Sequence, residues 1–196
     1  MRVYREWRIS EIFYYLFWLI MIYAKGTGLY EGLREYNICL ALALFCLGVK
    51  LLLTSYRVTD LFWVIPTGIL SIWIYLNSHD QSALLLAALA IGVKDLKLSR
   101  IFKIGLFMWA GCFIFSVFRT FSGGYTGPIL VHEKLGLGPV IRWSLGFTHP
   151  NVLHITYVVI AALILYCWNL KPGRNQWKIS LILMAGNCYV FLYSIS

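Results

Sequence analysis

Seven apolar stretches set what this chain can become. They cover about 9–24, 37–54, 59–76, 82–93, 101–121, 151–170 and 177–196. Crossing the hydrocarbon core of a membrane takes about 20 apolar residues in a helix. In lipid every backbone N–H and C=O must find its partner inside the protein, so such stretches become helices. The fourth, "SALLLAALAIGV", is short, and reads as a tilted or re-entrant segment or one that extends into its basic flank. The expected fold is all-α: a polytopic membrane helix bundle of about seven transmembrane helices, forming a single integral-membrane domain over 1–196. Composition agrees. Charged residues make up 13% of the chain and the mean hydropathy is +0.74, whereas a soluble domain carries about 25% charged residues.

The net charge of +9 would suggest nucleic acid in a soluble protein. Here basic residues at the cytoplasmic ends of membrane helices account for it, and no nucleic-acid partner is expected. With the N-terminus in the cytoplasm, the inner segments hold Arg2, Arg5, Arg8, Lys50, Arg57, Lys94, Lys97, Arg100, Lys103, Lys171, Arg174 and Lys178. The outer segments hold only Lys25, Arg34, Arg119, Lys134 and Arg142. The bias predicts a multi-pass protein of the cytoplasmic membrane, N-terminus inside and C-terminus outside, with the short fourth segment counted as a crossing. Arg2, Arg5 and Arg8 followed by the run Ile12 to Ala24 imitate a signal peptide, but no small-x-small cleavage site follows, so a retained first helix is expected.

Cys39, Cys46, Cys112, Cys167 and Cys188 all lie inside apolar runs with no CxxC spacing. That pattern predicts packing residues rather than a disulfide framework or a zinc site.

One connection is long, Ser122 to Pro150, "SGGYTGPILVHEKLGLGPVIRWSLGFTHP". It is expected as an extracytoplasmic loop over 122–150. Its two apolar pieces, "PILVHEKLGLG" and "PVIRWSLGF", stand between Gly and Pro punctuation, so it should lie along the membrane surface or fold back onto the bundle. Long loops in compact folds are more often functional than simple connectors.

The end of this loop holds the candidate site. Pro150 suits the first turn of a helix, where a missing N–H costs nothing. Thr148 or His149 then caps that helix, whose free N–H groups and positive dipole end point toward the loop. Helix N-termini attract phosphate for this reason. Arg142 offers a planar fork that matches phosphate oxygens, Asn151 adds an amide, and His149 can donate, accept or titrate. The bland alternative is that Arg142 and His149 are interfacial residues meeting headgroups and water, with Trp143 and Phe147 as ordinary anchors. His154, one turn inside the membrane on the Asn151 face, either makes a helix–helix hydrogen bond or joins the site. Arg119, ending the fifth helix, either snorkels or supplies a second cation. His132 and Glu133 lack metal-ligand spacing, and no metal is expected. His79 and Asp80 read as turn chemistry. Asp60 and Asp95 read as helix-start carboxylates or partners of nearby basic residues. No P-loop, GxGxxG, HExxH or GxSxG occurs.

The stretch "RWSLGFTHPNVLH" resembles the signature R-x-SLGF-x-HPN of Wzy-type polysaccharide polymerases from Gram-positive capsule and exopolysaccharide clusters, within the O-antigen polymerase and ligase group. The likeness covers about ten residues. It implies an integral-membrane glycosyltransferase that joins undecaprenyl-pyrophosphate-linked oligosaccharide repeat units on the outer face of the cytoplasmic membrane. It implies no cofactor and no metal, with other capsule-assembly membrane proteins and membrane lipid as neighbours. The departing pyrophosphate would be stabilised by Arg142 and the helix start. Arg119 would assist, and His149 would orient or deprotonate the acceptor hydroxyl, or bind phosphate. Ser144, Asn151 and His154 are carried as substrate-binding positions, with Gly146 shaping the motif. Polymerases of this group are longer, with a second arginine-bearing outer loop, so the likeness is to their N-terminal part only. An O-antigen ligase-type transferase, or a non-catalytic membrane subunit or transporter binding an anionic lipid-linked ligand, are the alternatives.

Overall fold

A computed structural model describes residues 8–30, 32–79, 81–123, 129–134, 138–169 and 176–194. Among them are seven helices and one hairpin: α1 Ile9–Gly26, α2 Arg34–Leu52, α3 Val58–Ser78, α4 Ser82–Gly92, α5 Leu98–Phe121, β1 Ile129–Lys134, β2 Gly138–Trp143, α6 Pro150–Asn169 and α7 Gln176–Ser194. Each apolar stretch of the sequence is one helix. Four of the described helices, α2, α3, α5 and α6, are long and apolar enough to cross a membrane. The protein is an all-α membrane helix bundle with a small hairpin inserted. At 11 residues, α4 reaches only about 16 Å, roughly half of the hydrocarbon core. Arg2, Arg5, Asp80, Lys171 and Arg174 lie outside the described residues.

Two compact units divide the chain. The first takes in 1–21 and 37–98, and the second 22–36 and 99–196. In the first, α4 packs on α3, and Tyr14 of α1 is buried and donates its hydroxyl to the Leu89 carbonyl of α4 at 3.2 Å. Gly92 permits that approach: a Cβ there would stand 2.6 Å from the Tyr14 ring and 2.9 Å from Leu47. α3 starts with a carboxylate cap, because the Arg57 backbone N–H donates to the Asp60 side chain at 2.7 Å. It ends at His79, whose left-handed backbone (φ 55°) returns its N–H to the Tyr75 carbonyl. His79 is thus turn chemistry, as its sequence context suggests.

In the second unit α6 packs on α7, and β2 also touches α7. The loop expected over 122–150 contains structure. β1 and β2 pair antiparallel, with Leu130 opposite Arg142 and Ile129 opposite Trp143. The missed signal is local: "ILV" and "PVI" each hold two β-branched residues and stand on either side of a Gly-containing segment, a hairpin pattern. Cys46 and Cys112 are buried and Cys39 and Cys167 half-buried, in keeping with packing roles, while Cys188 is exposed on α7.

Candidate functional site

Strand geometry explains why an arginine goes inward. Successive residues of a strand face opposite sides. On β2 Ile141 is 67% exposed and Arg142 only 7% exposed. Burying a guanidinium requires acceptors. Its Nε donates to the Ser194 carbonyl at the last residue of α7 (2.8 Å), and one Nη2–H donates to the Asn151 side-chain oxygen at the start of α6. One side chain on the hairpin thus ties together the two helices against which it lies. A cation at the C-terminal end of a helix is also favoured by the helix dipole. The rest of the guanidinium fork has no acceptor among the described residues.

The segment after β2 turns at once. Phe147 N–H returns to the Ser144 carbonyl at 3.0 Å, and both central residues have positive φ, Leu145 at 44° and Gly146 at 81°. Two positive φ values in succession make a type I′ turn. At Gly146 the sequence has no other choice, since a Cβ would collide with the Ser116 carbonyl and the Thr120 hydroxyl of α5. Leu145 and Phe147 are buried in a cluster with Leu153 of α6 and Val190 of α7. The same turn presents the Gly146 carbonyl to Arg119, whose Nη2 donates to it at 3.2 Å. So the fifth helix does deliver its arginine to the segment that carries Arg142.

α6 begins at Pro150, where the proline predicts it. The cap is His149, and it is complete. The Asn151 N–H donates to His149 Nδ1 at 3.1 Å. The N–H groups of Val152 and Leu153 both reach the His149 carbonyl, at 3.0 and 3.3 Å, and Pro150 has none. The expectation of free N–H groups at this helix start is therefore corrected. The donors are consumed by the cap, and only the dipole remains for a ligand.

These bonds fix the polarity of what is left. A backbone N–H can only donate, so His149 Nδ1 is an acceptor and the neutral ring carries its proton on Nε2. Arginine can only donate, so Asn151 presents its oxygen to Arg142 and its NH2 group elsewhere. Asn151 is exposed and His149 half-exposed. Arg142, Asn151 and His149 thus offer only N–H groups to anything that binds. Among the described residues no carboxylate bonds to Arg142, Asn151 or His149. An array of donors with surplus positive charge suits an anion, and phosphate oxygens above all. It is poorly suited to taking a proton, because His149 would have to release its helix cap to do so.

Two positions named from the sequence are used differently. Ser144 is 0% exposed, and its hydroxyl has no partner among the described residues. His154 Nε2 bonds Asn187 Oδ1 of α7 at 3.0 Å, the helix–helix alternative raised for it. Asn187 was missed, though a polar residue within an apolar helix is the signal for such a partner. Tyr157 extends the seam, donating to the Leu183 carbonyl at 2.9 Å. Beyond it lies an apolar groove of about 360 Å³ between Val158, Ala161, Ala162 and Leu165 of α6 and Leu183 and Met184 of α7. It opens about 10 Å below Asn151, at 1.5 Å per helical residue.

Among the described residues no group of His, Cys, Asp and Glu could hold a metal ion. His132 and Glu133 belong to β1. No protein-family model, no curated protein and no solved structure matches this chain.

Proposed function

We propose that this chain is a polysaccharide polymerase-like membrane glycosyltransferase, or the N-terminal part of one, acting on undecaprenyl-pyrophosphate-linked oligosaccharide at the outer face of the cytoplasmic membrane. The observation that carries the reading is the donor-only cluster of Arg142, Asn151 and His149, with Arg119 bonded to the same segment. In the proposed transfer the bond between the anomeric carbon and the pyrophosphate oxygen breaks. A hydroxyl oxygen of the next repeat unit bonds to that carbon and gives up its proton to solvent or to the departing phosphate. The lipid pyrophosphate leaves with an added negative charge. Arg142, Asn151 Nδ2 and His149 Nε2 would stabilise it, as preorganised donors do. The α6–α7 groove suits the hydrocarbon part of such a carrier. Ser144 acts under this reading by shaping the turn, and His154 by joining the helices.

The same donor-only character favours a second reading: a non-catalytic membrane subunit that holds an anionic lipid-linked ligand. Among the described residues no proton acceptor is bonded to the cluster, so chemistry would then come from another chain.

The test is an Arg142→Ala exchange, with Asn151→Asp as its companion, in cells assembling the polymer. Arg142→Ala should leave single lipid-linked repeats and no polymer. Asn151→Asp keeps the oxygen that Arg142 bonds, yet swaps the outward amide for a carboxylate. It should lower polymer yield at least about tenfold, the worth of one lost charge-assisted contact. Normal polymer length in a stably inserted Asn151→Asp protein would sink the pyrophosphate role. Loss of polymer with lipid-linked repeats still bound would support catalysis over mere capture.

A further inference from the structure

The first unit contains a second polar cleft with a different charge plan. Ser55, Arg57, Asp60, Lys94 and Asp95 line a space of about 420 Å³ where α3 begins and α4 has just ended. Most of its charge is already committed. Lys94 pairs with Asp60, donates to the Ser55 carbonyl at 2.7 Å, and lies over the Tyr56 ring at 4.6 Å. Asp60 also takes the Arg57 backbone N–H. That leaves two exposed groups with no side-chain bond among the described residues: the Arg57 guanidinium and the Asp95 carboxylate. One is a cation, the other an anion.

An apolar groove begins in the same turn of α3. Val58, Leu61, Phe62, Ile65 and Pro66 surround about 260 Å³. Their spacing places them on one helix face. From Val58 to Pro66 the groove runs about 12 Å, most of one leaflet's share of a core about 30 Å thick. α3 is a candidate membrane span with only 6% of its apolar window buried inside the protein, so this face meets lipid. At the start of a spanning helix the surroundings pass from headgroups to hydrocarbon. The charged cleft therefore falls at headgroup level and the groove at acyl level.

We infer that this cleft and groove hold a zwitterionic aminophospholipid, its phosphate on Arg57, its ammonium on Asp95, and one acyl chain along Val58–Pro66. Charge complementarity selects the headgroup. A purely anionic head would set a negative charge against Asp95. A choline head has no N–H to give to the carboxylate, whereas a primary ammonium has three. Arginine is the better phosphate partner because its planar fork matches two oxygens at once. The inference is independent of the polymerase reading, since it uses no residue of the second unit.

The experiment uses the full chain purified in detergent, with native mass spectrometry against phosphatidylethanolamine, phosphatidylcholine and phosphatidylglycerol of identical acyl chains. Phosphatidylethanolamine should be retained about fivefold over the other two, the upper range for one exposed ion pair. Asp95→Asn should erase that preference while keeping the fold, because Asn tolerates the left-handed backbone (φ 64°) found there. Arg57→Gln should weaken retention of all three lipids, and Ile65→Trp should do the same by filling the groove. Equal retention of the three lipids by the unaltered protein would overturn the proposal. So would tighter binding of phosphatidylglycerol, or a preference that survives Asp95→Asn.

Discussion

Each of the two units sends long cations to helix ends, but the partners differ. In the first unit Lys50 is 1% exposed, with its amine on the Thr54 hydroxyl at 2.7 Å and the Lys94 carbonyl at 3.1 Å. Glu11 is buried in the same unit and Asp95 lines a cleft with Lys50, while Lys94 pairs with Asp60. Cations and carboxylates are mixed there, and the cluster comes close to neutral. In the second unit Arg142 meets a carbonyl and an amide oxygen, both uncharged. Neutral acceptors satisfy hydrogen bonds without cancelling charge. Around Lys50 and Lys94 the first arrangement resembles a fastening. The second leaves an unneutralised field, which is what a bound anion requires. Distinguishing an adhesive cluster from a receptive one therefore depends on what the cations touch, not on how many there are.

The largest test of that contrast concerns shape. The second unit's site hangs on a backbone turn, so Gly146→Ala should destabilise the protein by about 3 kcal/mol, combining a disfavoured φ with overpacking against α5. Thermal unfolding in detergent micelles, followed by circular dichroism, would read it; an unshifted midpoint would mean that α5 can yield and the turn does not hold the site. Next comes Asp60→Asn, which removes the charge that Lys94 meets while retaining a capping oxygen. It should lower the unfolding midpoint slightly, as the loss of an exposed ion pair does. If stability is untouched, the Ser55 carbonyl and the Tyr56 ring suffice to hold Lys94, and the contrast between the units collapses. Smallest is Asn187→Leu, which breaks the bond to His154. Interhelical hydrogen bonds in membranes average about 0.6 kcal/mol, so a shift several times larger would show that the α6–α7 seam does more than join two helices.

The apolar runs made the helices legible, because lipid leaves backbone groups no other solution. Pro150 fixed the start of α6, and His149 was one of two caps that its context allowed. The hairpin was hidden for a physical reason: β1 and β2 are six residues each, too short for a period of two to stand out from general hydrophobicity. With the hairpin unseen, the inward turn of Arg142 could not be read either. The donor-only character of the site lay further from reach. It depends on Asn151 having been turned by Arg142 and His149 by the Asn151 N–H, and both partnerships exist only once register and helix start are set. Lys50 and Lys94 passed as ordinary cytoplasmic charges, because nothing in a linear sequence distinguishes a lysine that ends a helix from one that fastens two.

The strand that carries Arg142 counts in twos. Removing one residue between Pro139 and Ile141 would not displace the arginine slightly; it would exchange its side of the sheet with that of its neighbour. The isoleucine would be driven into the space between two helix ends, and the guanidinium turned out toward hydrocarbon or headgroups. The segment from β2 to α6 therefore tolerates substitution by degrees, but a change of length only as a matter of odd or even.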